Sequence, residues 1–239
     1  MSRYFVNEIY RCLQGEGLNT GKPAVLVRFQ ICNLRCTWCD TPQAQERRAL
    51  GVAVQSFSLE ELVAEIRRVS ELGERPIQHA IFTGGEPTIH PIHHVRKALG
   101  PEWTVEVETN GTRIPHLEFS DFLEADYALF QWNVSPKGFM AGESIVSEAL
   151  AHWGALQRAG SAVFLKCVVR RAQAEADMAE IQGWESAFGF VRKHVFLMPE
   201  GTERSSQTGA EWLHDVCINQ GYRLAIRLHV VLFGNKKGV

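Results

Sequence analysis

Three thiols at the spacing C-x3-C-x2-C, those of Cys32, Cys36 and Cys39, constrain this chain more than any other feature. They lie in the stretch Cys32-Asn33-Leu34-Arg35-Cys36-Thr37-Trp38-Cys39, directly after an apolar, strand-like run. Thiolates grouped in this way are the ligands of iron–sulfur clusters. Three of them leave a cubane cluster one protein ligand short, with one iron open to another molecule. A structural zinc site wants four protein ligands, and Cys12, Cys167 and Cys217 are scattered singly with no metal-ligand spacing. Spacing alone leaves iron–sulfur, zinc and unrelated buried thiols open, with the first favoured.

Length and charge narrow the setting. At 239 residues the chain fits one large domain or two small ones, and single α/β barrels of this size are common. It is 45% hydrophobic and 22% charged with a net charge of −2, an ordinary globular balance. There is no basic excess to suggest nucleic acid as a partner. Six cysteines, three of them clustered, without a secretory signal point to a reducing compartment and to metal rather than disulfides. Residues Met1 to Tyr10 carry Arg3, Asn7 and Glu8 and no apolar targeting core. No run reaches the length of a membrane span. A cytoplasmic protein that binds neither membrane nor nucleic acid is expected.

Periodicity supplies the elements. Ala24 to Phe29 is a mostly continuous apolar run, the pattern of a strand buried on both faces. Ser58-Leu59-Glu60-Glu61 reads as a capping box, followed by Leu59, Leu62, Val63, Ile66 and Val69 on one helical face, with Gly73 as a stop. Ala80 to Thr83 is a short strand ending in Gly84-Gly85-Glu86-Pro87. Thr104 to Glu108 alternates Val105 and Val107 against Thr104, Glu106 and Glu108, then breaks at Asn110-Gly111. Ala128 to Val134 is a strand ending at Ser135-Pro136-Lys137, and a helix carrying Ile145, Ala149, Trp153 and Leu156 leads to Gly160. Strand Val163 to Val169, a helix ending near Phe188, strand His194 to Met198, a helix with Trp212, Leu213 and Val216, and strand Arg223 to Val231 complete the chain. Repeated strand-then-helix units imply parallel strands with helical crossovers. No repeat, low-complexity tract or linker divides residues 1–239, so a single domain is expected.

Each polar or glycine-rich motif falls at the C-terminal end of a strand. In a parallel barrel those ends form one rim, where active sites are built. Gly84-Gly85 and Asn110-Gly111 taken singly are ordinary turn dipeptides. Their joint placement downstream of the cysteine loop favours one rim site.

With these residues in view, the chain resembles the 7-carboxy-7-deazaguanine synthases, radical S-adenosylmethionine (SAM) enzymes of the 7-deazapurine (queuosine) pathway. The likeness spans nearly the whole length. It is carried by Asn7-Glu8, Leu13-Gln14-Gly15-Glu16-Gly17, Gly21, Arg28, the three cysteines, Cys39-Asp40-Thr41, Glu108-Thr109-Asn110-Gly111-Thr112, Ser135-Pro136-Lys137 and His229. Gly84-Gly85-Glu86-Pro87 is shared with many radical SAM enzymes and supports the superfamily. The resemblance implies a partial, incomplete TIM-like (β/α) barrel of the radical SAM type with about six parallel strands. It also implies a carbon–nitrogen lyase that converts 6-carboxy-5,6,7,8-tetrahydropterin to 7-carboxy-7-deazaguanine and ammonia. An external flavodoxin- or ferredoxin-like reductant would pass one electron to a [4Fe–4S] cluster, SAM would yield a 5′-deoxyadenosyl radical, and hydrogen would leave C6 of the pterin. Mg²⁺ and a homodimer are further implications.

Roles follow residue by residue from the resemblance. Cys32, Cys36 and Cys39 would hold the cluster, with Trp38, Cys39 and Asp40 on the SAM side. The Gly84-Gly85-Glu86 backbone would take the SAM amino group, Ser135, Pro136 and Lys137 would contact SAM from the next strand end, and Met198, Pro199, Glu200 and Gly201 would flank its adenine. Leu13, Gln14, Gly15 and Glu16 would meet the donor-rich edge of the pterin. Arg28 would grip the substrate carboxylate, with Thr83, Glu108 and His229 as further substrate residues. Thr41 would ligate Mg²⁺; read without the resemblance, a Thr after Asp is a helix N-cap. The tail departs from the family pattern. Ten residues follow His229, ending Lys236-Lys237-Gly238-Val239, where family chains stop soon after the matching histidine and their terminal carboxylate can reach the substrate.

Two other functions compete. A glycyl-radical-enzyme activase shares the cysteine loop and Gly84 to Pro87, but leaves Gln14 to Gly17, Arg28 and Thr41 unexplained together. A non-enzymatic iron–sulfur or zinc module needs a fourth ligand and no strand-end motifs.

Overall fold

The computed structural model describes residues 3–46, 54–234, 236 and 238. Strands β1 (Tyr4–Leu13) and β2 (Pro23–Phe29) form an antiparallel hairpin, and β3 (Gln55–Phe57) pairs antiparallel with the start of β1. From β2 onward every neighbour is parallel: β4 (His79–Gly84), β5 (Thr104–Thr109), β6 (Gln131–Val134), β7 (Val163–Val169), β8 (Val195–Pro199) and β9 (Arg223–Leu224). The sheet order is β3-β1-β2-β4-β5-β6-β7-β8-β9, an open sheet with β3 and β9 at its edges. The incomplete barrel expected from the sequence is what forms. Seven strands run parallel among the described residues, one more than the resemblance implied and the number that the periodicity reading gave.

Helical crossovers connect the parallel strands. In chain order they are α1 (Leu59–Ser70), α2 (Ile92–Leu99), α3 (Pro115–Glu118), α4 (Ser147–Arg158), α5 (Ala174–Phe188), α6 (Arg204–Thr208) and α7 (Glu211–Gln220), with α8 (Leu228–Phe233) closing the chain. The capping box of α1 is present: Glu61 N–H donates to Ser58 Oγ at 3.2 Å, and Ser58 N–H donates to Glu61 Oε2 at 2.7 Å. The apolar faces of these helices pack on one face of the sheet around Trp132 and Trp153, both fully buried. Burying a large apolar side chain is worth about 1.5–3 kcal/mol, so this layer holds the scaffold together.

The periodicity reading did not anticipate β3 or α2, and it put Ile145 on a helix that starts only at Ser147; three further differences bear on the site. The segment 128–134 is a strand only from Gln131, since Glu124–Leu129 makes a 3-10 turn. The run from Arg223 to Val231 is not one strand: β9 stops at Leu224, and His229 stands on α8. The tertiary setting decides there, with Leu228 N–H bonded to Gly15 O at 2.8 Å. Strand β1 was not anticipated, and its bulge explains why. Val6 lies opposite Phe29 and Glu8 opposite Arg28, so one extra residue, Asn7, interrupts the register. Tyr4 and Val6 face the helix-side core, whereas Glu8, Tyr10 and Cys12, of the same parity, line the opposite face. A bulge that shifts the period by one hides the alternation.

Candidate active site

Strand alternation builds the site along the concave face of the sheet. On β5, Val105 and Val107 enter the helix-side core while Glu106 and Glu108 point the other way. On β7, Leu165 and Cys167 do the same, leaving Lys166 and Val168 on the inner face. Leu26 and Arg28 of β2, Ile81 and Thr83 of β4, and Met198 of β8 join them around a cavity of about 290 Å³. That is close to the lower end of the usual range for small-molecule pockets, roughly 300–1,000 Å³. The site therefore runs down the inner face as well as along the rim that the motifs marked.

The cysteine loop covers one end of this cavity. Just before it, Ile31 adopts φ +82°, a conformation that costs a β-branched residue on the order of 1–3 kcal/mol. Bonds from Ile31 N–H to Ala44 O (2.9 Å) and from Cys32 N–H to Gln45 O (3.0 Å) hold it there. Cys32, Cys36 and Cys39 all line the cavity. Burial pushes the Cys32 thiol up to about 11 and raises that of Cys36. The Leu34 N–H, at 3.4 Å, and Asn110 Nδ2, at 3.9 Å, both donate to Cys32 Sγ. Such donors stabilise a metal-bound thiolate. Among the described residues, only His93, His94 and Asp121 bring three donor atoms within 4.8 Å of one another; the three cysteines do not. A mononuclear zinc ligand set must converge on one ion, whereas thiolates on a cubane bind separate irons. The loop fits a cluster better than zinc.

Beside the loop, Trp38 packs against a small apolar cluster of Phe164, Val168, Phe196, Met198 and Ala225. Lys137 Nζ lies 5.4 Å from the Trp38 ring centroid and donates to Ser135 Oγ at 2.7 Å. Burial lowers the Lys137 pKa. Gly84 has φ +125°, and a Cβ there would stand 2.1 Å from Phe29 O, so only glycine lets β4 end against β2. Gly85 N–H and Glu86 N–H are bonded to Phe29 O (2.9 Å) and Ile31 O (2.7 Å). Any ligand amine at this turn would have to meet carbonyls. The Glu86 side chain, fully buried, does not line the cavity: it accepts from Thr88 N–H, the Thr88 and Thr109 hydroxyls and Asn110 N–H. Burial raises its pKa despite these donors.

Across the cavity, the Gln14–Gly17 turn meets a polar network. Gln14 Nε2 donates to Glu106 Oε1 at 2.6 Å, and Gln14 Oε1 accepts from Glu16 N–H at 3.2 Å. Glu106 also receives His79 (3.0 Å), Asn19 (3.2 Å), Gln131 (3.0 Å) and Asn133 (3.2 Å). Lys166 Nζ donates to both Glu16 Oε2 and Glu108 Oε2. Burial alone would raise the Glu16 pKa, but Lys166, Arg227 and His229 together hold it well below the usual carboxylate range. Glu108 shifts upward, through burial and the nearby charges of Glu16 and Glu106. Arg227 Nε lies 3.4 Å from Glu16 Oε1, an ion pair without hydrogen-bond geometry. Gly15 allows the close approach of α8, since a Cβ there would meet His229 Nδ1 at 2.1 Å.

Most of the residues singled out in the sequence converge. Leu13 to Glu16, Arg28, the three cysteines, Trp38, Asp40, Thr41, Thr83 to Gly85, Glu108, Ser135, Lys137, Met198 and His229 all line the one cavity. Pro136, Pro199, Glu200 and Gly201 do not, Glu200 being exposed, although Thr202 does. Arg28 is an ion-paired residue as well, with Nε 2.8 Å from Glu8 Oε2. Thr41 sits at the N-cap position of a 3-10 turn but its side chain makes no cap bond; its Oγ1 lies 3.8 Å from Cys39 Sγ. Val239 is outside the described residues, while Lys236 and Gly238 line the cavity. Sequence reasoning missed Lys166 and Arg227 as site residues and read Glu106 only as part of a strand. The signal for Lys166 was a single charge inside the apolar run Val163 to Val169.

Comparison with known proteins agrees with this geometry. The Radical SAM superfamily model matches residues 26–139. The 7-carboxy-7-deazaguanine synthase of Pyrobaculum aerophilum is 34% identical over 241 residues, covering 99% of this chain and 97% of that one. The synthase of the same name from Rhodopirellula baltica is 28% identical, covering 99% and 89%. The crystal structure of QueE from Escherichia coli shares the fold, with a TM-score of 0.69 at 24% identity over 94% of this chain and 93% of that one.

Proposed function

The chain belongs to the 7-carboxy-7-deazaguanine synthase family of radical SAM enzymes, and from that premise we propose that it contracts the ring of 6-carboxy-5,6,7,8-tetrahydropterin, giving 7-carboxy-7-deazaguanine and ammonia. The observation that carries this reading is the two-ended cavity, with three thiols at one end and paired carboxylates with Arg28 around the other. Cys32, Cys36 and Cys39 would hold a [4Fe–4S] cluster, which would supply the electron for reductive cleavage of SAM and so the hydrogen-abstracting chemistry of the superfamily.

The chain's own residues bind and orient. Trp38, Met198 and the Gly84-Gly85 turn wall the SAM end, and Ser135 with Lys137 offers polar contacts beside it. Glu16 accepts the N–H groups of the pterin's cyclic guanidine edge, for which an ionised carboxylate is apt, with Leu13, Gln14 and Gly15 against the same edge. Arg28, oriented by Glu8, leaves the rest of its guanidinium for the substrate carboxylate. Thr41, whose hydroxyl is not committed to capping, is the proposed protein ligand of Mg²⁺, a hard ion that keeps several waters. Thr83, Glu108 and His229 complete the substrate wall. Holding both reactants in register is the main protein contribution to such chemistry.

The whole chain would act as one radical SAM domain, in the cytoplasm, as a homodimer served by a flavodoxin- or ferredoxin-like donor. No helix among the described residues is long and apolar enough to cross a membrane. The test is anaerobic cluster reconstitution followed by incubation with SAM, a reductant, Mg²⁺ and the carboxytetrahydropterin, with products followed by mass. Cleavage of SAM without a ring-contracted product would reject the substrate and leave the superfamily chemistry standing.

A further inference from the structure

Lys166 is the one charged residue on β7, and its side chain is 6% exposed. It reaches two carboxylates that the chain brings from far apart, Glu16 from the turn after β1 and Glu108 from the end of β5. A buried ion pair is a weak source of net stability, because desolvation offsets attraction. Stability therefore does not account for an ammonium and two carboxylates on the cavity wall. Arg227 is the second cation beside the pair, 3.4 Å from Glu16 Oε1, but its Nε makes no hydrogen bond there and so takes none of the acceptor capacity of Glu16. Glu108 Oε1 takes Asn133 Nδ2 at 2.8 Å, yet each ionised carboxylate can accept about four hydrogen bonds. Acceptor capacity is left over, and all three residues line the cavity.

We propose that Lys166 is a positioning and specificity-determining residue, which ties Glu16 and Glu108 into a paired acceptor face for a ligand edge with adjacent N–H donors. This rests on the pterin reading above, where that edge is the 2-amino pyrimidinone end of the substrate. Without Lys166 the two carboxylates repel, one is protonated or swings away, and the face no longer distinguishes a donor-rich edge from a donor-poor one. An anionic group is a poor fit at this end, since the two cations there, Lys166 and Arg227, are already paired with the carboxylates. Arg28 is the better partner for the substrate carboxylate.

The experiment compares wild type, Lys166→Met and Lys166→Arg, each reconstituted and saturated with SAM. Affinities are measured for the carboxytetrahydropterin and for its 2-desamino analogue, with cluster content and unfolding temperature as checks of folding. In Lys166→Met, affinity for the pterin should fall roughly ten- to a hundredfold, the scale of a lost charged hydrogen bond. Affinity for the analogue should change little, so the ratio between the two ligands collapses. Lys166→Arg should restore most of that ratio. A purely structural role lowers both affinities together and leaves the ratio intact, which overturns the proposal. If Lys166→Met does not fold, Lys166→Gln, which keeps a polar side chain without the charge, takes its place: a collapsed ratio supports the proposal and a retained ratio overturns it. Wild type that binds neither pterin overturns the substrate reading and this inference with it. Wild type that discriminates, beside a Lys166→Met variant that discriminates equally, overturns this inference alone.

Discussion

The carboxylate of Glu86 stands 2.7 Å from the backbone nitrogen of Asn110, clasping the end of β4 to the end of β5 through a side chain with no exposed surface. The motif residue that looks most like a ligand is therefore a fastener. Its other oxygen holds the hydroxyls of Thr88 and Thr109, and Asn110 in turn reaches Cys32 Sγ and Asn33 Oδ1. The rim turn and the cysteine loop share one hydrogen-bonded frame.

Replacing Glu86 by Gln puts an amide donor among groups that are themselves donors. One or two of them lose their acceptor inside the protein, at about 1–3 kcal/mol each. The urea midpoint of the cluster-free chain should drop accordingly. A midpoint equal to wild type would show that the clasp carries no stability.

Glu106 sets an acid limit. Burial would raise its pKa, but the His79 contact and the amides of Asn19 and Gln14 bring it below its ordinary value of 4.5. A carboxyl with a depressed folded pKa stabilises the fold above the unfolded value, and that stability is lost as pH falls through the folded value. Stability should thus be flat near neutrality and decline below pH 4.5. Denaturant titrations between neutral and acid pH should show a shallower decline in Glu106→Gln, with a lower plateau. Equal slopes in the two proteins would remove Glu106 from this role.

Arg28→Lys keeps the charge and loses the planar fork. Substrate affinity should weaken by about 1.5–3 kcal/mol, with SAM affinity unchanged. Glu8→Gln should act in the same direction and more weakly, because it only loosens the Arg28 Nε contact. Calorimetric titration of each ligand separates the two ends of the cavity, and a loss confined to SAM would put Arg28 at the wrong end.

Thr41→Ala should keep the cluster and SAM cleavage and lose most of the Mg²⁺-stimulated product, while Thr41→Ser keeps much of both. The hydroxyl makes no cap bond, so little stability should be lost with it. Product measured against Mg²⁺ concentration decides, and an unchanged response in Thr41→Ala would exclude it as a metal ligand.

The architecture was legible where chemistry and period coincide. The cysteine loop, the Gly84–Pro87 turn and the alternation of β5 each mark a strand end or a strand face in the residues themselves. Lys166 was not legible as a site residue, because a charge within an apolar strand reads as a local interruption until its partners are known, and Glu16 lies 150 residues away. Glu106 was hidden for the same reason, its five donors coming from three separate segments, the β1–β2 connection, β4 and β6. The Leu228–Phe233 run is too short for period to separate helix from strand. Only its packing against the Gly15 turn settles the matter.

The surplus residue at Asn7 is a spare place in the first strand, outside its pairing with the second. Substituting Asn7 removes its hydrogen bond to Gln30 and leaves the pairing intact. Deleting it would bring Val6 and Glu8, which already face the consecutive residues Phe29 and Arg28, into one unbroken register, with Ile9 and Arg11 still toward the helices and Glu8, Tyr10 and Cys12 still toward the cavity. What the bulge contributes is therefore a side chain rather than a register: Asn7 holds Gln30, and Gln30 in turn holds the carbonyl of Gln43 beyond the cysteine loop.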